Sequence, residues 1–191
     1  MSEATTSSKG KNEVWEWTKA IAIAIALAFI IRSFIFAPFI VEGQSMESTL
    51  HNEEKLVVNK AIYYAGEPKR GDIIVFHAEP TRDYIKRVIG VAGDTVEVKN
   101  DVLYINGKAV DEPYLAQNRE ENKRNNEQMG TNKPLTEDVP LITIPSGHIY
   151  VMGDNRQNSH DSRKIGPVDL KTVVGRAEFV FWPFSHIRMT R

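Results

Sequence analysis

The chain has no cysteine, which excludes disulfides, thiolate zinc sites, iron–sulfur clusters and cysteine nucleophiles. It has no surplus of charge either: 24 Lys and Arg stand against 25 Asp and Glu, a net charge of −1. Phosphate binding ordinarily shows as a basic excess or stripe, so nothing in the balance points to nucleic acid. The five histidines, His51, His77, His148, His160 and His186, show no His-x-x-x-His or other metal-ligand spacing, and no metal or other cofactor is expected. Helical periodicity is scarce beyond residue 60, surfacing weakly in one polar stretch. There is no internal repeat.

Hydrophobic residues make up 41% of the 191, but a dense block of them lies between Ala20 and Val41, interrupted only by Arg32, Ser33 and Pro38. Ala20 to Ile31 is too short as a helix, about 18 Å, to cross the roughly 30 Å hydrocarbon core. Extended from Trp17 to Phe36 it reaches about 20 residues, with Lys19 and Arg32 placed to snorkel and Trp15 and Trp17 at the near interface. A cleaved secretory signal peptide is the competing reading. Its cleavage motif would be Ile35-Phe36-Ala37, with a bulky residue where a small one is wanted and Pro38 after the bond, so an uncleaved anchor is favoured. The expected division is a disordered cytoplasmic tail over 1–14, a transmembrane signal anchor over 15–38 and an extracytoplasmic β-rich domain over 39–191. About 150 residues suffice for one domain with its own core.

Within that domain, short runs of Val, Ile, Tyr and Phe are punctuated by Gly, Asn, Asp and Pro, which predicts strands and turns. Strands are expected near Lys55–Val58, Asp72–Phe76, Tyr84–Val91, Thr95–Lys99, Val102–Ile105, His148–Met152 and Arg176–Phe181. Asn100-Asp101 and Asn106-Gly107 tolerate positive φ and should close hairpins, making Thr95–Val110 a meander. A polar insertion at about 115–139, crowded with Asn, Glu, Gln, Lys and Arg, reads as a long solvated loop.

Three segments could carry chemistry. Ser45, in Gly43-Gln44-Ser45-Met46, is either a nucleophile or an ordinary turn serine. Lys86 alternates with Tyr84 and Val88 on one strand face; it is either an edge lysine pointing at water or a desolvated amine. Lowering such a pKa from about 10.4 to about 8 costs roughly 3 kcal/mol. The loop Gly153 to Arg163, with two Asp and two Arg, is either a self-paired surface turn or a site built at a strand end.

Taken together, Gly43-Gln44-Ser45-Met46 after an apolar block, Arg70-Gly71-Asp72-Ile73-Ile74-Val75-Phe76, Tyr84-Ile85-Lys86-Arg87-Val88-Ile89-Gly90 with Gly93-Asp94, and Gly153-Asp154-Asn155-Arg156 through Ser159, Asp161, Ser162 and Arg163 resemble the ordered boxes of bacterial type I signal peptidases. The resemblance extends over nearly the whole chain and is closest to the short single-span forms of Gram-positive bacteria. It implies a mainly β, signal-peptidase-like fold and a Ser/Lys dyad. Ser45 would be the nucleophile and Lys86 its base, with Ser159 orienting the amine and the Ser45 backbone N–H facing the oxyanion. Arg87, Asp154, Arg156, Asp161 and Arg163 would form an ion-paired frame, and Val41, Met46, Tyr84 and Ile85 would line pockets for small side chains. The implied partners are preproteins with signal peptides and the lipid bilayer, near the protein translocation machinery. Two positions depart from the family pattern: Gly43 stands where many members carry Ser, and Ser48 where Pro is usual.

Other readings use the same residues differently. A His-based hydrolase would combine Ser159 or Ser162 with His160 and Asp161, but sequence neighbours rarely converge as a triad. A membrane-tethered β-domain binding peptides or cell-wall polymer needs no desolvated lysine. A Ser/Lys self-cleaving repressor needs a helix-turn-helix where this chain has its apolar block.

Overall fold

In the computed structural model, residues 9–30, 32, 35–64 and 66–190 are described. The apolar block divides in two: Lys9–Ile30 form helix α1 and Phe36–Ile40 form strand β1, so the helix does not run through Phe36 as expected. Pro38 accounts for the division. It lacks an N–H and cannot extend a helix, and within a sheet it is tolerated at an edge. β1 is such an edge, paired with β2 (Lys55–Asn59) alone, Pro38 opposite Val57. Of the expected tail, residues 1–8 lie outside the described residues, while Lys9–Val14 open α1. Among the described residues no helix is long and apolar enough to cross a membrane. Yet Ile21, Ile23, Ile25, Leu27 and Phe29 of α1 are each more than half exposed, an apolar surface that nothing among the described residues covers.

From β2 onward the chain is antiparallel β structure. It comprises β3 (Ile73–Glu79), β4 (Arg82–Gly90), β5 (Thr95–Lys99), β6 (Val102–Ile105), β7 (Lys108–Val110), β8 (Val139–Thr143), β9 (His148–Met152), β10 (Val168–Asp169), β11 (Val173–Trp182) and β12 (Arg188–Met189). One sheet has the order β1-β2-β11-β3-β4-β9-β10 with β12 on β11, and the other the order β7-β6-β5-β8. Each expected strand is present. Asn100, Asp101, Asn106 and Gly107 take positive φ, which turns β5, β6 and β7 into the expected meander. The unexpected strands carry weak signals: β1 and β8 contain Pro38 and Pro140, and β10 and β12 are two residues each.

The insertion corrects another expectation. Instead of a loop, Ala116–Met129 form helix α2, closed by Gly130 in the left-handed region, where glycine pays no Cβ penalty. Gln, Glu, Lys and Arg are good helix formers even with no apolar face, and none of these helical residues is buried.

Two features of the packing position the site. Val41, Met46 and Leu50 are buried against Leu56, Val58, Ile73, Val75 and Val180, pinning the segment between them from below. β4 is an interior strand between β3 and β9, and Lys86 to Gly90 are all buried. Lys86 is therefore not an edge lysine facing water.

Candidate active site

Ser45 sits at the top of the pinned turn, half-buried. Its Oγ is 2.7 Å from Lys86 Nζ, which also donates to the Ile85 carbonyl at 2.9 Å. The amine stands 5.0 Å from the Tyr84 ring centroid, and Lys86 is only 4% exposed. Burial strips the ammonium of hydration and brings its pKa from 10.5 down to about 8, against the opposing pull of Asp161 and Asp154. Among the described residues the Ser45 N–H donates no hydrogen bond, leaving it free to face an incoming oxygen.

The second half of the site is the loop after β9. Gly153 packs so closely that a Cβ there would collide with Ser159 Oγ and the Ser45 carbonyl. Two cross-links bind this loop to the Ser45 turn: the Asn155 N–H donates to Ser45 O at 3.0 Å, and Asn155 Nδ2 donates to Gln44 O at 3.0 Å. Asp154 is fully buried and receives Arg87 through two bonds, Nε at 2.9 Å and Nη2 at 2.7 Å. It also accepts from Thr49 Oγ1 at 2.5 Å. Asp161 receives Arg163 the same way, both bonds 2.8 Å, and the Gly153 N–H at 2.9 Å. Burial works against its ionisation, but Arg163 and the Gly153 N–H together hold its pKa below the usual carboxylate range. Charge-assisted, bidentate bonds of this kind fix geometry as well as energy.

Two sequence expectations change in detail. Arg156 does not pair with an aspartate of its own loop; its partner is Glu112, 2.5 Å away and equally buried. Ser159 makes no hydrogen bond to the Lys86 amine. Its hydroxyl is buried and without a partner of ordinary geometry, although its proximity helps hold the Asp161 pKa down. Glu112, Tyr114, whose ring centroid lies 4.0 Å from the Arg87 guanidinium carbon, and Thr49 were missed. The only signal for Glu112 was that Arg87, Arg156 and Arg163 outnumber Asp154 and Asp161, which leaves one guanidinium to water or to an acid elsewhere; the burial of Arg156, at 2% exposure, is what demands the acid.

Ser45 and Lys86 open onto a groove of about 870 Å³, lined by Val41, Met46, Tyr84 and Ile85, with Pro38 to Gly43 along one wall and His160 at the rim. A larger hollow of about 1020 Å³ lies between α2 and residues 130–138, away from both reactive groups. Size is therefore not what marks the site. The His-based arrangement does not assemble. His160 is exposed, Asp161 is taken by Arg163 and Gly153, and Ser162 Oγ accepts from the Val151 N–H at 2.9 Å.

Residues 14–182 match the family model of signal peptidase, peptidase S26. The chain belongs to that family. A signal peptidase I of Bacillus licheniformis is 50% identical over 192 residues, covering 100% of both chains. Signal peptidase I S of Bacillus subtilis (strain 168) is 50% identical over 181 residues, 94% of this chain and 95% of the relative. A solved structure of a signal peptidase I from Enterococcus faecalis V583 is similar with a TM-score of 0.50 and 38% identity, covering 58% of this chain and 97% of that one. The chain is accordingly a hydrolase of the signal peptidase I type.

Proposed function

We propose that this signal peptidase cleaves after a small-x-small sequence by a Ser45/Lys86 dyad. The observation that carries the reading is the 2.7 Å contact between Ser45 Oγ and a buried Lys86 amine. With a pKa near 8, an appreciable fraction of that amine is neutral at physiological pH and can accept a proton. Neutral Lys86 takes the Ser45 hydroxyl proton as Oγ attacks the scissile carbonyl. The oxyanion meets the Ser45 N–H, and the proton passes from Lys86 to the departing amine. A water, deprotonated by the same amine, then hydrolyses the acyl-enzyme and restores Ser45. Ser159 assists by orienting the amine as substrate enters, and the Arg87–Asp154 and Arg163–Asp161 pairs hold the two loops in register.

The substrate binds extended along the groove, its alternate small side chains facing the part lined by Val41, Met46, Tyr84 and Ile85. α1, with its uncovered apolar side chains, anchors the enzyme in the cell membrane with the N-terminus cytoplasmic and the β domain outside. Enzyme and substrate then meet in two dimensions, near the translocation machinery.

Ser45→Ala and Lys86→Ala should each abolish release of mature protein from a preprotein in detergent, while His160→Ala retains activity. Turnover by either dyad variant refutes the mechanism. A reporter fused after residue 191 should be active only outside the cytoplasm; cytoplasmic activity refutes the topology.

A further inference from the structure

α2 has the composition of a solvated ornament, yet three of its four asparagines, Asn118, Asn122 and Asn126, recur every four residues and share one face. Asn122 and Asn126 donate from Nδ2 to the Lys133 carbonyl at 3.0 and 2.8 Å, folding the insertion back on itself, and Asn122 Oδ1 also accepts from Gln157 Nε2 at 3.0 Å. Asn118 reaches elsewhere. Its Nδ2 donates to the Glu47 carbonyl at 2.9 Å and to the Asp154 carbonyl at 2.8 Å. The first acceptor lies two residues after Ser45, and the second belongs to the residue that receives Arg87. Both are carbonyl oxygens, so only the amino end of the carboxamide can face them, and one nitrogen spends both hydrogens there.

We propose that Asn118 is a positioning residue for the peptidase reaction, its carboxamide stapling the Ser45 turn to the Asp154 loop from a third element and so holding Ser45 Oγ against the Lys86 amine. The inference rests on the dyad reading above. Thr49 and Asn155 link the same two loops directly, but links of that kind let both loops shift together. Asn118 ties them to a third element, the start of α2, which the fully buried Leu115 before it anchors in the core. A small displacement of a nucleophile is costly even when the fold survives, about 100-fold in rate for about 1 Å.

The test is steady-state cleavage of a preprotein by the full chain in detergent, per folded molecule, with Asn118→Ala, Asn118→Asp and Asn126→Ala. Asn118→Ala should lower kcat roughly tenfold or more with KM within about twofold. The isosteric Asn118→Asp should be worse, since it puts acceptor oxygens against two carbonyls. Asn126→Ala, whose carboxamide bonds Thr131 and Lys133 within the insertion, should lower the melting temperature and leave kcat unchanged. Wild-type kcat in both Asn118 variants, or an equal loss in Asn126→Ala, overturns the proposal while an inactive Ser45→Ala leaves the dyad standing. An active Ser45→Ala overturns both.

Discussion

Replacing Lys86 with Met should make the stability of the domain respond to pH in a way that isolates the buried amine. Lys86 is charged below about pH 8 in the folded chain and below about 10.5 when unfolded. Between those values the unfolded state binds more protons, so the wild type gains stability as pH rises. Below pH 8 the full penalty of burying the ammonium is present, about 3 kcal/mol for a shift of this size. Above 10.5 it is gone. Met fills a similar volume, carries no charge and removes the two hydrogen bonds of the amine, worth about 1 kcal/mol each at any pH. The absolute difference between the proteins mixes these terms, but its pH dependence reports only the amine. Urea denaturation of both proteins should show the wild type gaining about 2.5 kcal/mol on Lys86→Met between pH 7 and pH 10. Over the same interval wild-type kcat/KM should rise with a midpoint near pH 8. A stability difference constant to within about 0.5 kcal/mol would mean the amine is not desolvated, and with it would go the account of how it becomes a base.

Two further substitutions probe the supporting groups. Ser159→Ala should cost at most about 1 kcal/mol of urea stability, because the buried hydroxyl has no partner of ordinary geometry and only its proximity to Asp161 to lose, while kcat falls roughly tenfold from the lost orientation of Lys86. Unchanged kcat removes Ser159 from the mechanism. Glu112→Ala should destabilise by about 3–5 kcal/mol, since Arg156 is left buried and unpaired. Adding Arg156→Met should recover a large part of that loss. A single-variant loss under about 1 kcal/mol would show that Arg156 finds water or another acid.

Much of the fold was legible because strand signals are local. Thr95–Lys99, Val102–Ile105 and His148–Met152 occur with the expected boundaries, since alternation, β-branching and Asn-Gly chemistry all agree there. Errors fell where one local rule competed with another. Apolarity carried the anticipated helix through Phe36, but Pro38 and the free edge of β2 made Phe36–Ile40 a strand. Polarity made residues 116–129 read as loop, although helix propensity needs no apolar face when the asparagine amides can dock the helix by hydrogen bonds.

At the site, residue types alone left Ser45, Lys86 and the Asp154–Arg163 loop open between structural and chemical readings, and it was the resemblance of four motifs in order to signal peptidase boxes that singled them out. Distance, burial and pairing leave no mark in the sequence. That the Lys86 amine is 2.7 Å from Ser45, that Arg156 takes Glu112 and that Asn118 spans two loops all depend on residues 36 to 71 positions apart in the chain. Side-chain chemistry is a property of each residue and can be read in order along the chain. Desolvation and charge pairing are properties of what surrounds a residue, and only the packed sheets determine those surroundings.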